Sequence, residues 1–273
     1  MNDIIQIDVE KILKAKAGKK ARYVPRFVIS YLKKIIHQDE VNQALRDFGD
    51  KQGLDFINAF MEYFNNSFEV HGMENLPQDD RSYTFVSNHP LGAQDGLGLA
   101  YILGPVYNGK IKFLVNDLLM NIPQISSFWV PINKTGKQAR NFPQQVNAAF
   151  QSENHIVMFP AGLCSRKKKG IIKDVPWKKT FITKSVQSQR DIIPIHFEGE
   201  NSKFFYRLAN INKMLGIKFN IAMLYLSDEM FKNKGNHFDL YIGEPISHSQ
   251  LTNGTSPKEW CKIIREKCYN LPK

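Results

Sequence analysis

From residue 68 onward, short apolar runs typical of β-strands alternate with segments of helical periodicity. This alternation predicts an α/β fold, in which a mixed sheet is flanked by helices. The predicted strands are 68–71, 82–87, 112–115, 129–132, 155–159, 192–197 and 238–242. The predicted helices of this part are 96–103, 117–120, 138–150, 177–188, 203–215 and 257–269. Because such sheets bind ligands at the carboxyl ends of their strands, residues that follow a strand are the first candidates for a functional site.

Residues 1–66 are predicted to be helical, with two apolar stripes at helical spacing. One stripe is typical of a helix packed on a core and consists of Leu54, Ile57, Phe60, Met61 and Phe64. The other has basic neighbours and consists of Val24, Phe27, Val28, Tyr31, Leu32, Ile35 and Ile36. This second stripe fits a core helix and equally a helix that lies in a membrane interface. We therefore divide the chain into an N-terminal helical membrane-association segment, residues 1–66, and a domain of residues 67–273.

The first candidate site lies in residues 88–95, directly after the predicted strand 82–87. His89 leaves the end of that strand, a turn containing Gly92 follows, and Asp95 precedes a helix-compatible run. If the turn brings Asp95 back onto the imidazole, Asp95 holds one ring nitrogen and the other can take a proton from a hydroxyl group. Such a general base needs no serine or cysteine nucleophile when the substrate supplies the hydroxyl. The alternative interpretation is a loop histidine beside an aspartate that caps a helix.

Further blocks follow at residues 128–134, 159–166 and 191–197. They contain an aromatic pair with Lys134, the triplet Pro160-Ala161-Gly162, and Pro194. In this order, the blocks resemble those of the glycerophosphate acyltransferase (PlsC-like) family over residues 68–247. That family carries an N-H-x-x-x-x-D block, an aromatic-rich block that ends in Arg, an F-P-E-G-T-R-S block and an apolar block around a Pro.

The resemblance implies an O-acyltransferase that moves a fatty acyl group from a thioester to a hydroxyl group of a lipid. His89 and Asp95 match the catalytic pair, and residues 67–273 become the acyltransferase domain. Backbone N–H groups around Gly162 are the expected donors to the thioester oxyanion. The predicted substrate-binding residues are Asn88, Lys134, Pro160, Ala161, Gly162, Ser165 and Arg166. We expect no metal and no cofactor, with acyl carrier protein (ACP) or coenzyme A carrying the acyl group as co-substrate.

Two blocks depart from the family pattern. Ala161 stands in place of the family's Glu, Leu163-Cys164 in place of its Thr-Arg, and Lys134 in place of the Arg of the second block. In the family these groups help to bind the glycerol phosphate of the acceptor, and Lys offers only a point charge where Arg binds phosphate bidentately. With residues 175–178 and 200–206, the variant block resembles a branch labelled hemolysin-like, which includes O-acyltransferases of lyso-ornithine and lyso-glycine lipids. The expected acceptor is therefore a lyso-amino-acid lipid, which has a carboxylate and no phosphate.

The formal net charge of +11 is concentrated in residues 11–34 and 166–179, and the second segment contains Asp174 as its one acid. Clustered Lys and Arg favour an acidic partner, and we expect an anionic membrane surface besides the ACP or coenzyme A thioester. Nucleic acid is not expected, because the basic segments lack a recognition motif. The sequence has neither a signal peptide pattern nor an apolar run of membrane-spanning length. The predicted location is peripheral, on the cytoplasmic face of the inner membrane, with reduced thiols at Cys164, Cys261 and Cys268.

Two alternatives to this function remain open. One is a 1-acyl-sn-glycerol-3-phosphate acyltransferase of phospholipid synthesis, which differs only in its acceptor. The other is a non-catalytic, membrane-adsorbed lipid-binding protein on the same fold. The presence of both His89 and Asp95 favours an enzyme over this last class.

Overall fold

The computed structural model describes residues 6–115, 122–131, 142–217 and 220–272. Its helices are α1 (Val9–Ala17), α2 (Arg26–Ile36), α3 (Gln38–Asp47), α4 (Gly53–Phe64), α5 (Ala93–Val106), α6 (Phe142–Gln151), α7 (Thr180–Gln187), α8 (Lys203–Met214), α9 (Leu226–Lys232) and α10 (Pro257–Tyr269). Its strands are β1 (Ser67–His71), β2 (Thr84–Ser87), β3 (Ile111–Val115), β4 (Trp129–Pro131), β5 (His155–Met158), β6 (Arg166–Lys168), β7 (Ile171–Lys173), β8 (Ile192–Phe197) and β9 (His237–Ile242).

Among the described residues, seven strands form one sheet in the order β1-β9-β8-β2-β5-β3-β4. Neighbouring strands are parallel except for β8 and β9, which are antiparallel. Strands β6 and β7 form a separate antiparallel hairpin. The predicted α/β fold, a mixed sheet flanked by helices, is therefore confirmed.

The middle of the sheet is covered on both faces, as expected for parallel strands. Every residue of β2, β5 and β8 is buried. On one face, Phe56 and Phe60 of α4 share an apolar cluster with Phe85 of β2. On the other face, Phe181 of α7 and Ile264 of α10 belong to a second cluster. These two clusters hold β2 rigidly, and the next residues of the chain form the candidate site.

The two apolar stripes of the N-terminal region have different environments. Helix α4 lies so close to α5 that a Cβ atom at Gly104 would be 2.2 Å from the Cδ2 atom of Leu54. The stripe of α4 is thus part of the core. In α2, Ile35 is buried but Phe27 is 74% exposed. Helix α4 therefore packs with the sheet, and the division of the chain at residue 66 stays a prediction.

Parts of the sequence prediction differ from the structure. Helix α7 begins at Thr180 instead of residue 177, because the indole of Trp177 donates a hydrogen bond to Asp174 at 2.8 Å and is held outside the helix. The hairpin of β6 and β7 was not predicted, because its lysine-rich sequence lacks the alternation of apolar and polar residues that marks a strand. The predicted helix 117–120 and the first residues of the predicted helix 138–150 lie outside the described residues.

The carboxyl ends of β2, β5 and β8 lie side by side, because β2 pairs in parallel with both other strands. Residues 88–95 follow β2, and residues 159–166 follow β5. The first and third sequence blocks therefore meet at one edge of the sheet. This is the edge at which ligands bind in α/β proteins.

Candidate active site

The loop of residues 88–95, called here the His89 loop, is fixed to the end of β8 by Asn88. The Nδ2 atom of Asn88 donates to the carbonyl oxygen of Phe197 at 2.9 Å, and its Oδ1 atom accepts from the Phe197 N–H at 2.7 Å. Asn201 holds the loop from another side by donating to the carbonyl oxygen of Pro90 at 3.0 Å. The amide of Asn88, a predicted substrate-binding group, is thus engaged within the protein.

His89 and Asp95 form the predicted pair. The Nδ1 atom of His89 lies 3.0 Å and 3.1 Å from the two carboxylate oxygens of Asp95. Asp95 also accepts hydrogen bonds from the N–H groups of Leu91 at 2.9 Å and Gly92 at 3.2 Å. The turn requires a positive φ of 94° at Gly92, which glycine adopts without strain. The carboxylate is therefore fixed by its own turn, and it holds the proton on Nδ1, which leaves Nε2 to accept one.

The imidazole of His89 is mostly buried, but a part of it is open to solvent. The side chain of His89 is 18% exposed, whereas that of Asp95 is 0% exposed. The ring of Phe159 stacks on the imidazole with centroids 4.2 Å apart. Burial disfavours a charge on the ring, but the attraction of Asp95 and an interaction with Cys164 outweigh it, so the pKa of His89 is raised well above its usual value. A base of this kind is stronger than an ordinary histidine.

Residues 159–166 pack directly against the His89 loop. The N–H of Ser165 donates to the carbonyl oxygen of His89 at 2.7 Å. Pro160 and Ala161 are buried, and Gly162 forms a turn with φ of 66°. The N–H of Gly162 donates to the carbonyl oxygen of Phe159 at 2.9 Å, so it serves the turn. The expected oxyanion donors are therefore the N–H groups beside Gly162.

The two predicted cations differ in what the structure shows. Arg166 donates through Nη1 to the carbonyl oxygens of Cys164 at 2.6 Å and Ser165 at 3.2 Å. Its guanidinium also lies over the ring of Phe205, at 5.6 Å from the centroid. Arg166 thus stabilises the turn of its own block. Lys134 lies outside the described residues.

Asp174 is a site residue that the sequence prediction missed. Its Oδ1 atom accepts from the His89 N–H at 3.2 Å and from the Ser165 hydroxyl at 2.6 Å, and its Oδ2 atom accepts from the Trp177 indole at 2.8 Å. Burial raises the pKa of Asp174, while the hydrogen bonds from Ser165 and Trp177 oppose that rise. A signal was present in the sequence, since Asp174 is the one acid in the basic segment 166–179. A buried carboxylate must be paired or hydrogen-bonded, and these neighbours can supply partners.

One group of possible metal ligands occurs among the described residues, and it includes no residue of the His89 loop. Glu69 of β1 and His237 and Asp239 of β9 bring their ligand atoms within 4.8 Å of one another. Glu69 and His237 are exposed; Glu69 lies on the edge strand β1, and His237 lies on its neighbour β9. The residues of the His89 loop and of residues 159–166 form no such group.

Comparisons with known proteins show the family of this chain. The chain matches the family described as acyltransferase over residues 11–273. It is 57% identical over 270 residues to the lyso-glycine lipid O-acyltransferase of Phocaeicola vulgatus, covering 99% of this chain and 96% of that protein. It is 55% identical over 270 residues to the lyso-glycine lipid O-acyltransferase of Bacteroides thetaiotaomicron, covering 99% of each.

A solved structure, the 1-acyl-sn-glycerophosphate (LPA) acyltransferase PlsC from Thermotoga maritima, is similar with a TM-score of 0.47 and 18% identity. The similarity covers 89% of this chain and 79% of that one. The family resemblance that the sequence blocks predicted is confirmed by the family match and by the two curated relatives.

Proposed function

Because this chain belongs to the acyltransferase family, we propose that it transfers a fatty acyl group from an acyl thioester to the free hydroxyl of a lyso-glycine lipid. The observation that carries the choice of acceptor is the similarity to two curated enzymes of that name over 99% of this chain. The donor is acyl-ACP or acyl-CoA. The lyso-ornithine lipid is a related acceptor, and its rate of acylation is compared with that of the lyso-glycine lipid.

The reaction follows from the pair of His89 and Asp95. Nε2 of His89 takes the proton of the acceptor hydroxyl, while Asp95 holds Nδ1 and stabilises the imidazolium. The hydroxyl oxygen attacks the thioester carbonyl, so a C–O bond forms and the C–S bond breaks. The departing thiolate takes the proton back from His89. Backbone N–H groups beside Gly162 stabilise the oxyanion of the intermediate.

The third block suits an acceptor without phosphate. Ala161 and Cys164 replace polar residues of the family pattern, and both are buried, at 2% and 5% exposure. Arg166 is committed to carbonyl oxygens of its own block. A phosphate at these positions would lose its hydration without a matching set of charged donors, which disfavours it. A single carboxylate requires less compensation.

We also propose that the enzyme attaches peripherally to the cytoplasmic face of the membrane that holds its lipid acceptor. Within the described ranges, no helix is both long and apolar enough to cross a bilayer. The contact would be made by the outer aromatic face, which we define as the exposed side chains of Tyr23, Phe27, Tyr31 and Phe204.

The outer aromatic face joins α2 to α8 through Tyr225. The ring of Tyr225 lies 6.4 Å from that of Tyr31 and 5.1 Å from that of Phe204. Exposed apolar residues continue along α8 and beyond it, namely Ile211, Met214 and Leu215. Exposed basic residues accompany them, namely Arg22, Arg26, Lys34, Lys203, Arg207 and Lys213. Apolar side chains with basic neighbours are the pattern of a surface that binds anionic lipid.

The acceptor is tested with purified protein, one acyl donor and three competing acceptors: N-(3-hydroxyacyl)-glycine, N-(3-hydroxyacyl)-ornithine and lysophosphatidate. We expect the glycine acceptor to give the highest kcat/KM, with the ester product identified by mass spectrometry. A higher kcat/KM for lysophosphatidate would replace this proposal with the phospholipid alternative. Repeating the measurement with acyl-ACP and acyl-CoA identifies the donor.

A further inference from the structure

Strands β1 and β9 place four side chains of metal-binding type on one face of the sheet. The strands are parallel, and Glu69 of β1 is directly opposite Asp239 of β9. Because side chains two residues apart point to the same face of a strand, His71 joins Glu69 on β1 and His237 joins Asp239 on β9. We call Glu69, His71, His237 and Asp239 the edge cluster. It combines two carboxylates with two imidazoles.

The ligand atoms of the edge cluster are already close together. The Nε2 atom of His237 lies 3.8 Å from Oε2 of Glu69 and 4.0 Å from Oδ1 of Asp239. The Nε2 atom of His71 lies 3.7 Å from Oε1 of Glu69 and 3.4 Å from the same Oδ1 atom of Asp239. Ligand atoms of a tetrahedral Zn²⁺ ion are about 3.3–3.6 Å apart, as follows from Zn–N and Zn–O bonds of about 2.0–2.2 Å. Small movements of the side chains are therefore enough to bring these four contacts to the spacing of a zinc site.

The edge cluster sets two negative charges against each other. Like charges directly opposite on neighbouring strands are destabilising. The chain has 37 Lys and Arg residues, yet in the part that the structure describes neither Glu69 nor Asp239 forms an ion pair with one of them. Their partners are imidazoles, and an ordinary imidazole carries little charge at neutral pH but binds metal ions in that form. A divalent cation would balance the two carboxylates.

The surroundings of both imidazoles fix their orientation. The Nδ1 atom of His237 lies 2.8 Å from the hydroxyl of Ser67, the residue opposite it on β1. The ring of His71 stacks on that of Tyr241, with centroids 4.7 Å apart. A hydrogen bond at one ring nitrogen, with the other nitrogen directed at the metal, is typical of histidine ligands. Ser67 thus holds His237 in the orientation that a metal ligand requires.

We propose that the edge cluster binds one Zn²⁺ ion, which ties the edge strand β1 to β9. Four nitrogen and oxygen ligands suit Zn²⁺, whereas Ca²⁺ and Mg²⁺ take oxygen ligands throughout. Glu69 and His237 are exposed, so the ion can enter from solvent. Strand β1 follows α4 directly, so the ion would fasten the point where the N-terminal helices join the sheet. It would take no part in acyl transfer, because none of its ligands belongs to the His89 loop or to residues 159–166.

Binding is tested with the whole chain after treatment with EDTA and removal of the chelator. Isothermal titration calorimetry with Zn²⁺ should show one saturable site. The melting temperature should rise by about 5 °C or more when Zn²⁺ is present at about 100 times its Kd. The kcat with the glycine acceptor should be the same with and without Zn²⁺. A wild-type protein that does not bind Zn²⁺ would overturn the proposal, and a kcat that requires Zn²⁺ would overturn the structural role of the ion.

Three variants locate the ion. His237→Gln should weaken Zn²⁺ binding more than about 100-fold, because the loss of an outer hydrogen bond alone costs about 10–100-fold. Ser67→Ala removes only that outer hydrogen bond and should weaken binding about tenfold or more. His248→Gln is the matched control, since His248 also lies beside a carboxylate, at 2.8 Å from Asp191, but is outside the edge cluster.

The control should bind Zn²⁺ as the wild type does, and all three variants should keep the kcat of the wild type, which shows that they are folded. Unchanged affinity in His237→Gln would overturn the site. An equal loss of affinity in His248→Gln would overturn it too. Neither result would affect the proposed acyl transfer, which depends on His89 and Asp95.

Discussion

Around His89, polar side chains are buried and hydrogen-bonded, whereas on the outer aromatic face large apolar side chains remain in contact with water. Asp95, Asp174 and Asn88 are all buried, and each has partners within the protein. Phe27 is 74% exposed, although α2 offers a packed inner side where Ile35 is buried. In both regions the residues are placed against their usual tendency, since charged side chains are mostly exposed and large apolar side chains are mostly buried.

The comparison shows that the two regions serve different steps. Buried carboxylates cost free energy of folding, and their hydrogen bonds hold the base in one orientation before the substrate arrives. Exposed aromatic side chains gain free energy only when another apolar phase covers them. The site should therefore determine the rate of the chemical step, and the outer aromatic face should determine binding to lipid.

The largest expected effect is that of His89→Ala on catalysis. Losing the general base should lower kcat about 10²–10⁴-fold, while the melting temperature and binding to anionic vesicles stay as in the wild type. Kinetics with the glycine acceptor, together with vesicle sedimentation, check both halves of this prediction. A His89→Ala protein with full activity would refute the mechanism.

Asp95→Asn should reduce kcat about 10²-fold or more, because the amide no longer fixes the tautomer of His89. The substitution should also shift the pH dependence of the rate in a defined direction. Asp95 raises the pKa of His89, and a base works only when it is unprotonated, so the wild-type rate should rise with pH through a value above the usual range of histidine. In Asp95→Asn the acid limb of kcat/KM should move to lower pH. A limb that stays in place would exclude His89 as the titrating base.

Asp174→Asn should have a smaller effect, about a tenfold loss of kcat/KM. Asp174 accepts hydrogen bonds through both carboxylate oxygens, and the NH₂ group of Asn cannot accept one, so at least one of these hydrogen bonds is lost. Removing its negative charge should also move the acid limb to lower pH, but less than in Asp95→Asn. Ser165→Ala serves as the comparison, since it removes one of the hydrogen bonds of Asp174 and leaves its charge. If the pH profile of Asp174→Asn matches that of Ser165→Ala, Asp174 acts only through hydrogen bonds.

Phe27→Ser should have the smallest effect on catalysis. It should have the clearest effect on binding to lipid. Partitioning into anionic vesicles should weaken about tenfold, as expected for a buried aromatic ring, and kcat with a short-chain acceptor should stay unchanged. Ile263→Ser is the matched control, because Ile263 is also exposed but lies on α10. Equal loss in both variants would show that the outer aromatic face has no special role.

Hydrophobic periodicity correctly predicted the strands of the sheet and the helical character of both N-terminal stripes. It could not distinguish α4 from α2, because a stripe defines an apolar face but not what covers that face. The packing of α4 depends on Gly104 of α5, a residue distant in the sequence. Helix α2 instead contacts α9 and residues 221–225, which are also distant from it in the sequence.

The site was predictable where one short loop contains both partners, as with His89 and Asp95. Asp174 was not predicted, because its role arises only when the segment after the hairpin folds back onto the His89 loop and Ser165. Lysines there indicate only a basic surface when their sequence is considered alone. Lys134, predicted from the second block, lies outside the described residues and stays a prediction.

The state of the thiols has a practical consequence for observing the enzyme on lipid. All three cysteines, Cys164, Cys261 and Cys268, are free and buried. Thiol reagents react with accessible thiolates, so the native chain should take up little maleimide while it is folded. Phe27→Cys would then provide a single reactive position, without prior removal of native cysteines. A polarity-sensitive dye at that position would report, through its emission colour, how deeply α2 enters the bilayer.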